Sequence, residues 1–433
     1  MAKNTPKTLT VILLLALAAL SVAAVLIPEA EYSATGGEPG AETPPAEEVP
    51  PDTETPLPDD AGDAGDAAPP VEPFSPIPPE PSAVYAYTQT LWAEGGVELN
   101  AVHNSSSGCY MVVTHAGKEG ALNTGGVRTV TVLKLLPDGT ISALKHLAGG
   151  ENYFDSSVTS EGLAVVTGGS DKCYVGVLSE ELTDEFVTEM PVATGGKLFS
   201  LSEGFLLFLT AGEGTNAYKL RDGVIVSSAS IMGGSVAAVY DFYSYYLLTV
   251  KGIQGYSVVK LSPELSPVTT VTVPEKELLS ITPLPGEEKQ LYLIVERGAQ
   301  GVEILKTDLK EEIERVGVGL AERAEAYMNG ENIMLLLHSE STRLYMVDYR
   351  LNFTSSTALK GKVERIYDCI SYDGGYKLLY SDGEALTLLR IDRDGKTVSG
   401  NFGSFPGNAA LIDSDGSETV FYTDGESLKI IGV

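Results

Sequence analysis

The sequence predicts an all-β fold, an eight-bladed β-propeller, on three observations. Residues 371–391, SYDGGYKLLYSDGEALTLLRI, are nearly repeated at residues 413–433, DSDGSETVFYTDGESLKIIGV. At an offset of 42, Asp373, Gly374, Tyr380, Asp382, Gly383, Glu384 and Leu386 recur as Asp415, Gly416, Tyr422, Asp424, Gly425, Glu426 and Leu428. Strands and Gly turns at a period of about 40–45 residues are the mark of propeller blades. The second observation is a tight turn followed by an apolar strand, at Gly108, Gly162, Gly204, Ser244, Gly286, Gly330, Gly374 and Gly416, with spacings of 54, 42, 40, 42, 44, 44 and 42. The third is an imbalance at the ends. The last unit lacks its fourth strand, and the strand-like run AVYAYTQTLW, residues 83–92, precedes the first complete unit. Placing that run beside the last unit closes the ring and removes the exposed sheet edges.

In chain order, the amino terminus reads as an address. Residues 1–7 carry Lys3 and Lys7, and residues 8–27, TLTVILLLALAALSVAAVLI, hold no charge. Twenty such residues suffice to cross a bilayer as a helix. The basic flank is expected in the cytoplasm, with everything after Pro28 on the extracytoplasmic side. A cleaved signal peptide is the rival reading. Ser21-Val22-Ala23 offers a small-x-small site, but Leu26 and Ile27 continue the apolar run beyond it. No cysteine follows the run before Cys109, so none is placed for lipid modification. Residues 28–83 contain 15 prolines and 14 acids with no Lys or Arg. Such composition cannot bury enough apolar surface to offset ordering entropy, so a disordered, extended acidic linker is expected.

Residues 84–433 are the expected propeller, about 44 residues per blade. The second unit divides into YFDSSVT, LAVVTGG, CYVGVLS and EFVTEMP; the seventh into RIYDCISY, YKLLYS, ALTLLRID and KTVSGNF. Gly-Gly pairs between units, at Gly95-Gly96, Gly149-Gly150, Gly195-Gly196 and Gly233-Gly234, read as turn geometry. One segment conflicts with the register. Leu309, Ile313, Val316 and Leu320 have helical spacing. The even bracketing by Gly286, Gly330 and Gly374 favours strand.

The formal net charge of −30 argues against nucleic-acid binding, which needs clustered Lys and Arg. The propeller alone holds 27 Lys and Arg against 45 Asp and Glu, a net of −18. Cys109, Cys173 and Cys369 form no disulfide framework and no metal-ligand spacing. Each reads as a small apolar filler, with a Cys109–Cys173 bridge the one pairing to check.

The string GGENYFDSSVTSEGLAVVTGG with the later LSEELTDEFVTEM resembles a degenerate repeat of bacterial secreted or membrane-anchored β-propellers, WD40-like in plan. IDRDGKTVSGNF, residues 391–402, is similar to the quinoprotein-like form of the hairpin. The resemblance implies an architecture and not an activity. The Trp that closes quinoprotein repeats is absent, Trp92 being the only one, so no stacked quinone cofactor is expected.

His103, His115, His146 and His338 form no HExxH or other ligand pair. His115 and His338 each close a second strand, in blades one and six. Asp392-Arg393-Asp394-Gly395 and Asp413-Ser414-Asp415-Gly416 begin like calcium loops but lack the closing Glu, and read as hairpin turns. No Walker motif, GxSxG elbow or marked carboxylate pair is present. Phe242, Tyr243, Tyr245 and Tyr246 are dense enough for an outward aromatic surface. The longest departure from the repeat is residues 115–128, a loop inserted in blade one. It makes His115, Lys118, Glu119, Asn123 and Arg128 the candidate binding residues, because long loops on rigid scaffolds often carry function. No catalytic, cofactor or metal residue is assigned. The expectation is a single-pass protein of the cell membrane whose extracytoplasmic propeller binds or scaffolds a cell-envelope protein or glycan. The rival is a polysaccharide hydrolase or lyase with acids at the central opening. A third reading is support for outer-membrane protein assembly, weakened by the absent lipidation cysteine.

Overall fold

The computed structural model describes residues 87–432 except 93–95, 106–107, 118–123, 137–138, 148–150, 170, 213, 233, 243, 285–288, 360, 404–406, 415–416 and 424–426. The expected anchor over 8–27, its flank over 1–7 and the linker over 28–83 lie outside the described residues. Among the described residues there are 32 strands in eight four-stranded antiparallel sheets. Blades one to seven each use four consecutive strands. Blade eight takes Ala409–Ser414, Ser417–Thr423 and Leu428–Gly432, and completes itself with the amino-terminal strand Tyr87–Trp92. That strand pairs antiparallel to Leu428–Gly432 in the register Tyr87 to Gly432 and Thr90 to Lys429. The shared blade expected from the ends of the sequence is therefore present.

The apolar second strands explain the ring. In blade six, Asn332–His338, the side chains of Ile333, Leu335 and Leu337 enter the cluster shared with blade five. Met334 and Leu336, on the other face, enter the cluster shared with blade seven. A strand buried on both faces reads as a continuous apolar run rather than an alternating one. The described residues form eight such clusters, one at each junction of successive blades. The last joins Leu99, Met111 and Val113 of blade one to Ile412, Phe421, Leu428 and Ile430 of blade eight. Asn408 Nδ2 donates across the same seam to Leu99 O at 3.1 Å.

A second repeated device sits between third and outer strands. Ser179, Ser262, Asp348 and Asp392 each accept, through a side-chain oxygen, the backbone amides two and four residues ahead at 2.8–3.2 Å. The fourth residue of each turn must take a left-handed conformation, and it is Leu182, Leu265, Leu351 or Gly395. This is a three-residue hairpin loop ending in a bulge. The three leucines are buried there, so packing offsets a conformation that side chains resist. The DRDG string thus makes the turn expected of it, with Asp392 bonded to Asp394 and Lys396 amides.

Three sequence readings are refined. Gly195-Gly196 is not a turn: both residues are extended within the strand Gly195–Ser200. A Cβ on Gly196 would meet Leu209 and Val166 at 3.2 and 3.3 Å, so close blade packing explains the small residue. The helical spacing from Leu309 to Leu320 belongs to a turn, the outer strand Glu312–Gly319 with exposed Ile313, and the start of the following link, where Leu320 is exposed. Cys109 and Cys173 are free and buried in different junctions, one between blades eight and one and the other between blades two and three. That separation forbids the bridge. Cys173 instead accepts the Ala193 amide at 3.3 Å.

Leu351→Gly relieves about 1–2 kcal/mol of backbone strain but forfeits about 1.5–3 kcal/mol of burial plus the cavity left behind. Gly395→Leu drives a Cβ to 1.9 Å from Ser355 Oγ. Both variants are expected to lower the denaturation midpoint. A more stable Leu351→Gly protein would show that strain outweighs packing.

Candidate functional site

Antiparallel blades put the second-to-third strand turns and the inter-blade links on one face. On that face a cleft of about 760 Å³ opens between blades four and five and reaches the link to blade six. Its wall is the turn Gly252-Ile253-Gln254-Gly255. Gly255 has φ +151° and its absent Cβ would lie 2.2 Å from Val273 O, so only glycine fits. The rim carries the two most exposed large apolar side chains among the described residues, Ile253 at 101% and, beside the lining residue Ala321, Leu320 at 78%.

Lys251, Lys276, Glu277 and Arg297 line the cleft in ion pairs. Lys251 meets Glu277 at 3.1 Å, and Arg297 meets the same carboxylate while donating to Glu322 O at 2.9 Å. Behind Lys276 lies Glu296, whose side chain is 1% exposed. Its carboxylate receives Tyr256 Oη at 2.5 Å, Lys276 Nζ at 2.7 Å and Arg315 Nη1 at 2.8 Å. Glu303 takes further bonds from Lys276 and Arg315, and Glu312 holds Arg315 at 2.6 and 2.9 Å. Burial alone would raise the Glu296 pKa, but Lys276, Tyr256 and Arg315 together hold it below the ordinary value. Glu277 is likewise held low, against its own burial, by Lys251 and Arg297. Burial and the neighbouring Glu296 carboxylate push the Tyr256 hydroxyl up.

A second ionic cluster joins blades seven and eight, toward the other face. Buried Lys377 meets Asp413 at 2.5 Å and Glu418 at 2.9 Å, and lies 3.7 Å over the Tyr372 ring. Arg390 Nε donates to Glu418 at 2.8 Å, and its Nη2 bonds the same carboxylate. Burial opposes ionisation of Glu418, but Arg390 and Lys377 prevail and lower its pKa.

Carboxyls pushed upward by burial lie elsewhere. Asp155 and Asp368 sit in the first strands of blades two and seven. Each accepts an amide of the next blade, Leu198 N at 2.9 Å and Leu411 N at 3.1 Å, so each ties its blade to its neighbour.

Of the sequence candidates, His115 is buried, with Nε2 2.7 Å from Thr131 Oγ1, itself 2.8 Å from His146 Nδ1. Burial and His146 lower its pKa. Arg128 is exposed, paired to Glu98 at 2.9 Å. Lys118, Glu119 and Asn123 lie outside the described residues. The loop neck is closed by Gly117 O, which accepts Thr124 N and Gly126 N at 3.1 and 3.0 Å. His338 closes the second strand of blade six, but it is buried against Thr342 there rather than solvated. Phe242 and Tyr245 form no outward platform. They stack at 4.7 Å, and Tyr245 Oη meets Tyr292 Oη at 2.6 Å between blades four and five. Tyr246 is buried, and Tyr243 lies outside the described residues.

Sequence reasoning missed both ionic clusters, although a signal existed. Glu296, Lys377 and Glu418 interrupt second strands, which this fold buries on both faces, so each had to find partners.

The clusters make acid stability testable. A carboxylate whose pKa is lowered on folding contributes stability above its unfolded value, here 4.5, and that stability is lost as pH falls through the lower folded value. Glu296→Gln and Glu418→Gln should each cost about 3–5 kcal/mol at pH 7 and flatten the decline of stability below pH about 4.5. Denaturation series across pH measure both effects. An unchanged acid limb in either variant would refute the assignment of that group.

No family model and no curated protein matches the sequence. Among solved structures, the chain is similar to dihydro-heme d1 dehydrogenase NirN in complex with DHE, at TM-score 0.50 and 14% identity, covering 82% of this chain and 81% of that one. It is also similar to BamB from Moraxella catarrhalis, at TM-score 0.49 and 10% identity, over 79% of this chain and 99% of that one. The computationally designed Ika8 protein gives TM-score 0.49 and 10% identity, over 80% and 100%. At these identities the likeness is one of fold, and the chain is a β-propeller of eight degenerate repeats.

Proposed function

We propose that this propeller is a membrane-tethered, extracytoplasmic binding module. Its partner is a protein of the cell envelope, docked on the face that carries the blade four–five cleft. The observation that carries this reading is the rim: Ile253 and Leu320 project into solvent from a turn and a link, beside a cleft in which Lys251, Lys276, Glu277 and Arg297 are already paired. Apolar groups held out by a stiff scaffold favour a protein surface. A glycan reading has less support, because Phe242 and Tyr245 are spent on packing between blades. The 115–128 loop, which carries Lys118, Glu119, Asn123 and Arg128 in its sequence, is a second candidate contact region, and its described residues Val127 and Arg128 are exposed. The uncharged run over 8–27 and the acidic, Pro-rich residues 28–83 support a tether.

Pull-downs from envelope extract test the surface. Ile253→Asp and Leu320→Asp should each weaken capture of a partner at least ten-fold, about 1.4 kcal/mol, with the melting temperature unchanged. Equal recovery by wild type and both rim variants would move the site elsewhere, and loss on deleting residues 118–123 alone would move it to the loop. A carboxy-terminal epitope should be digested by protease added to cells whose outer layers have been opened and whose cytoplasmic membrane is intact. Protection there would reverse the orientation.

A further inference from the structure

The outer strand of each blade is paired on one side only, and most are blunted. Asp184–Met190 carries three acids, Glu312–Gly319 carries Glu312, Glu314 and Arg315, and Ile141–His146 carries Lys145. Pro267–Pro274 begins and ends in proline, while Tyr87–Trp92, Phe353–Ala358 and Thr397–Asn401 are six residues or fewer. Charges, prolines and shortness protect an open edge, as do bulges, which most of these outer strands share and which blade three has at Val226. Blade three has no other protection than that bulge. Its outer strand, Val224–Met232, VIVSSASIM, is nine residues long, the longest strand described, with no charge and no proline. Val224, Ile225 and Val226 are 61%, 41% and 53% exposed in succession. Ser227 Oγ is enclosed without a hydrogen-bond partner.

We infer that this edge is a self-association surface, on which Val224–Met232 of two copies pair antiparallel into a continuous eight-stranded sheet. Two features select a second copy as the occupant. The strand is nearly symmetric in character about Ser228: an antiparallel two-fold pairing sets Ile225 against Ile231, which packs into its own blade junction, Val226 against Ser230 and Ser227 against Ala229. An isologous contact requires that self-complementarity. The chain also carries a net charge of −30, so two copies repel over most of their surface, and this strand brings no like charges into opposition. The chain's own residues 28–83 are poor occupants, since fifteen prolines interrupt the run of amides a ladder needs.

The full chain in detergent tests the inference. Sedimentation should show a mass that doubles as concentration rises, and Val226→Lys should raise the dissociation constant at least ten-fold without shifting the melting temperature. Ser228→Cys, at the two-fold, should form an intermolecular disulfide under mild oxidation much faster than Ser179→Cys, in the exposed turn of blade two. A protein that stays monomeric up to about 1 mM (a dissociation free energy near 4 kcal/mol), a Val226→Lys variant that dimerises like wild type, or equal cross-linking at both cysteines would overturn it. Association of the 8–27 segments alone would produce the second and third of these results.

Discussion

A blade of this protein has two apolar faces and no means of covering either by itself. Its second strand alternates side chains between the preceding and following junctions, as Ile333, Leu335 and Leu337 do against Met334 and Leu336. Each fully buried side chain of this kind is worth about 1.5–3 kcal/mol, realised only when both neighbours are in place. A linear stack would leave two terminal faces wet. The ring is therefore the condition under which the eight cores exist, and the pairing of Tyr87–Trp92 with Leu428–Gly432 completes the blade through which it closes.

The polar chemistry follows from that constraint. An ionisable group buried within a second strand acquires partners from the adjacent blade: Glu296 from Tyr256, and Lys377 from Glu418. Asp155 and Asp368 serve the same end with backbone amides. Threonine hydroxyls near the starts of third strands do so for the links, as Thr215 does for Gly234 O at 2.6 Å and Thr342 for Val363 N at 2.9 Å. These groups fasten blades together. The cleft and its rim, by contrast, belong to turns that the cores do not need, which is where a surface can vary without loosening the ring.

The architecture was legible because turns demand particular residues. Asp373 and Gly374, both at positive φ, mark a sharp reversal that few other residues tolerate, and such marks repeat through the chain. Leu182, Leu265 and Leu351 hide the equivalent turn, because a leucine reads as core whatever its backbone angle. Gly196 misled for the opposite reason: crowding by Leu209 and Val166 selects a glycine as surely as a turn does. The site was less legible. Tyr256 and Glu296 stand forty residues apart and meet only because one blade lies against the next. The loop after His115 announced itself by length alone, and length says nothing of the burial that takes His115 out of reach.

Because the strand that seals the circle is also the one next to the amino-terminal residues, the seam has a mechanical meaning. Any tension transmitted along the preceding chain reaches Tyr87–Trp92 before it reaches another blade. Peeling those six residues away would uncover the edge of Leu428–Gly432 and unbutton the molecule from its clasp, so the chain's entry into the ring and its latch share one load path.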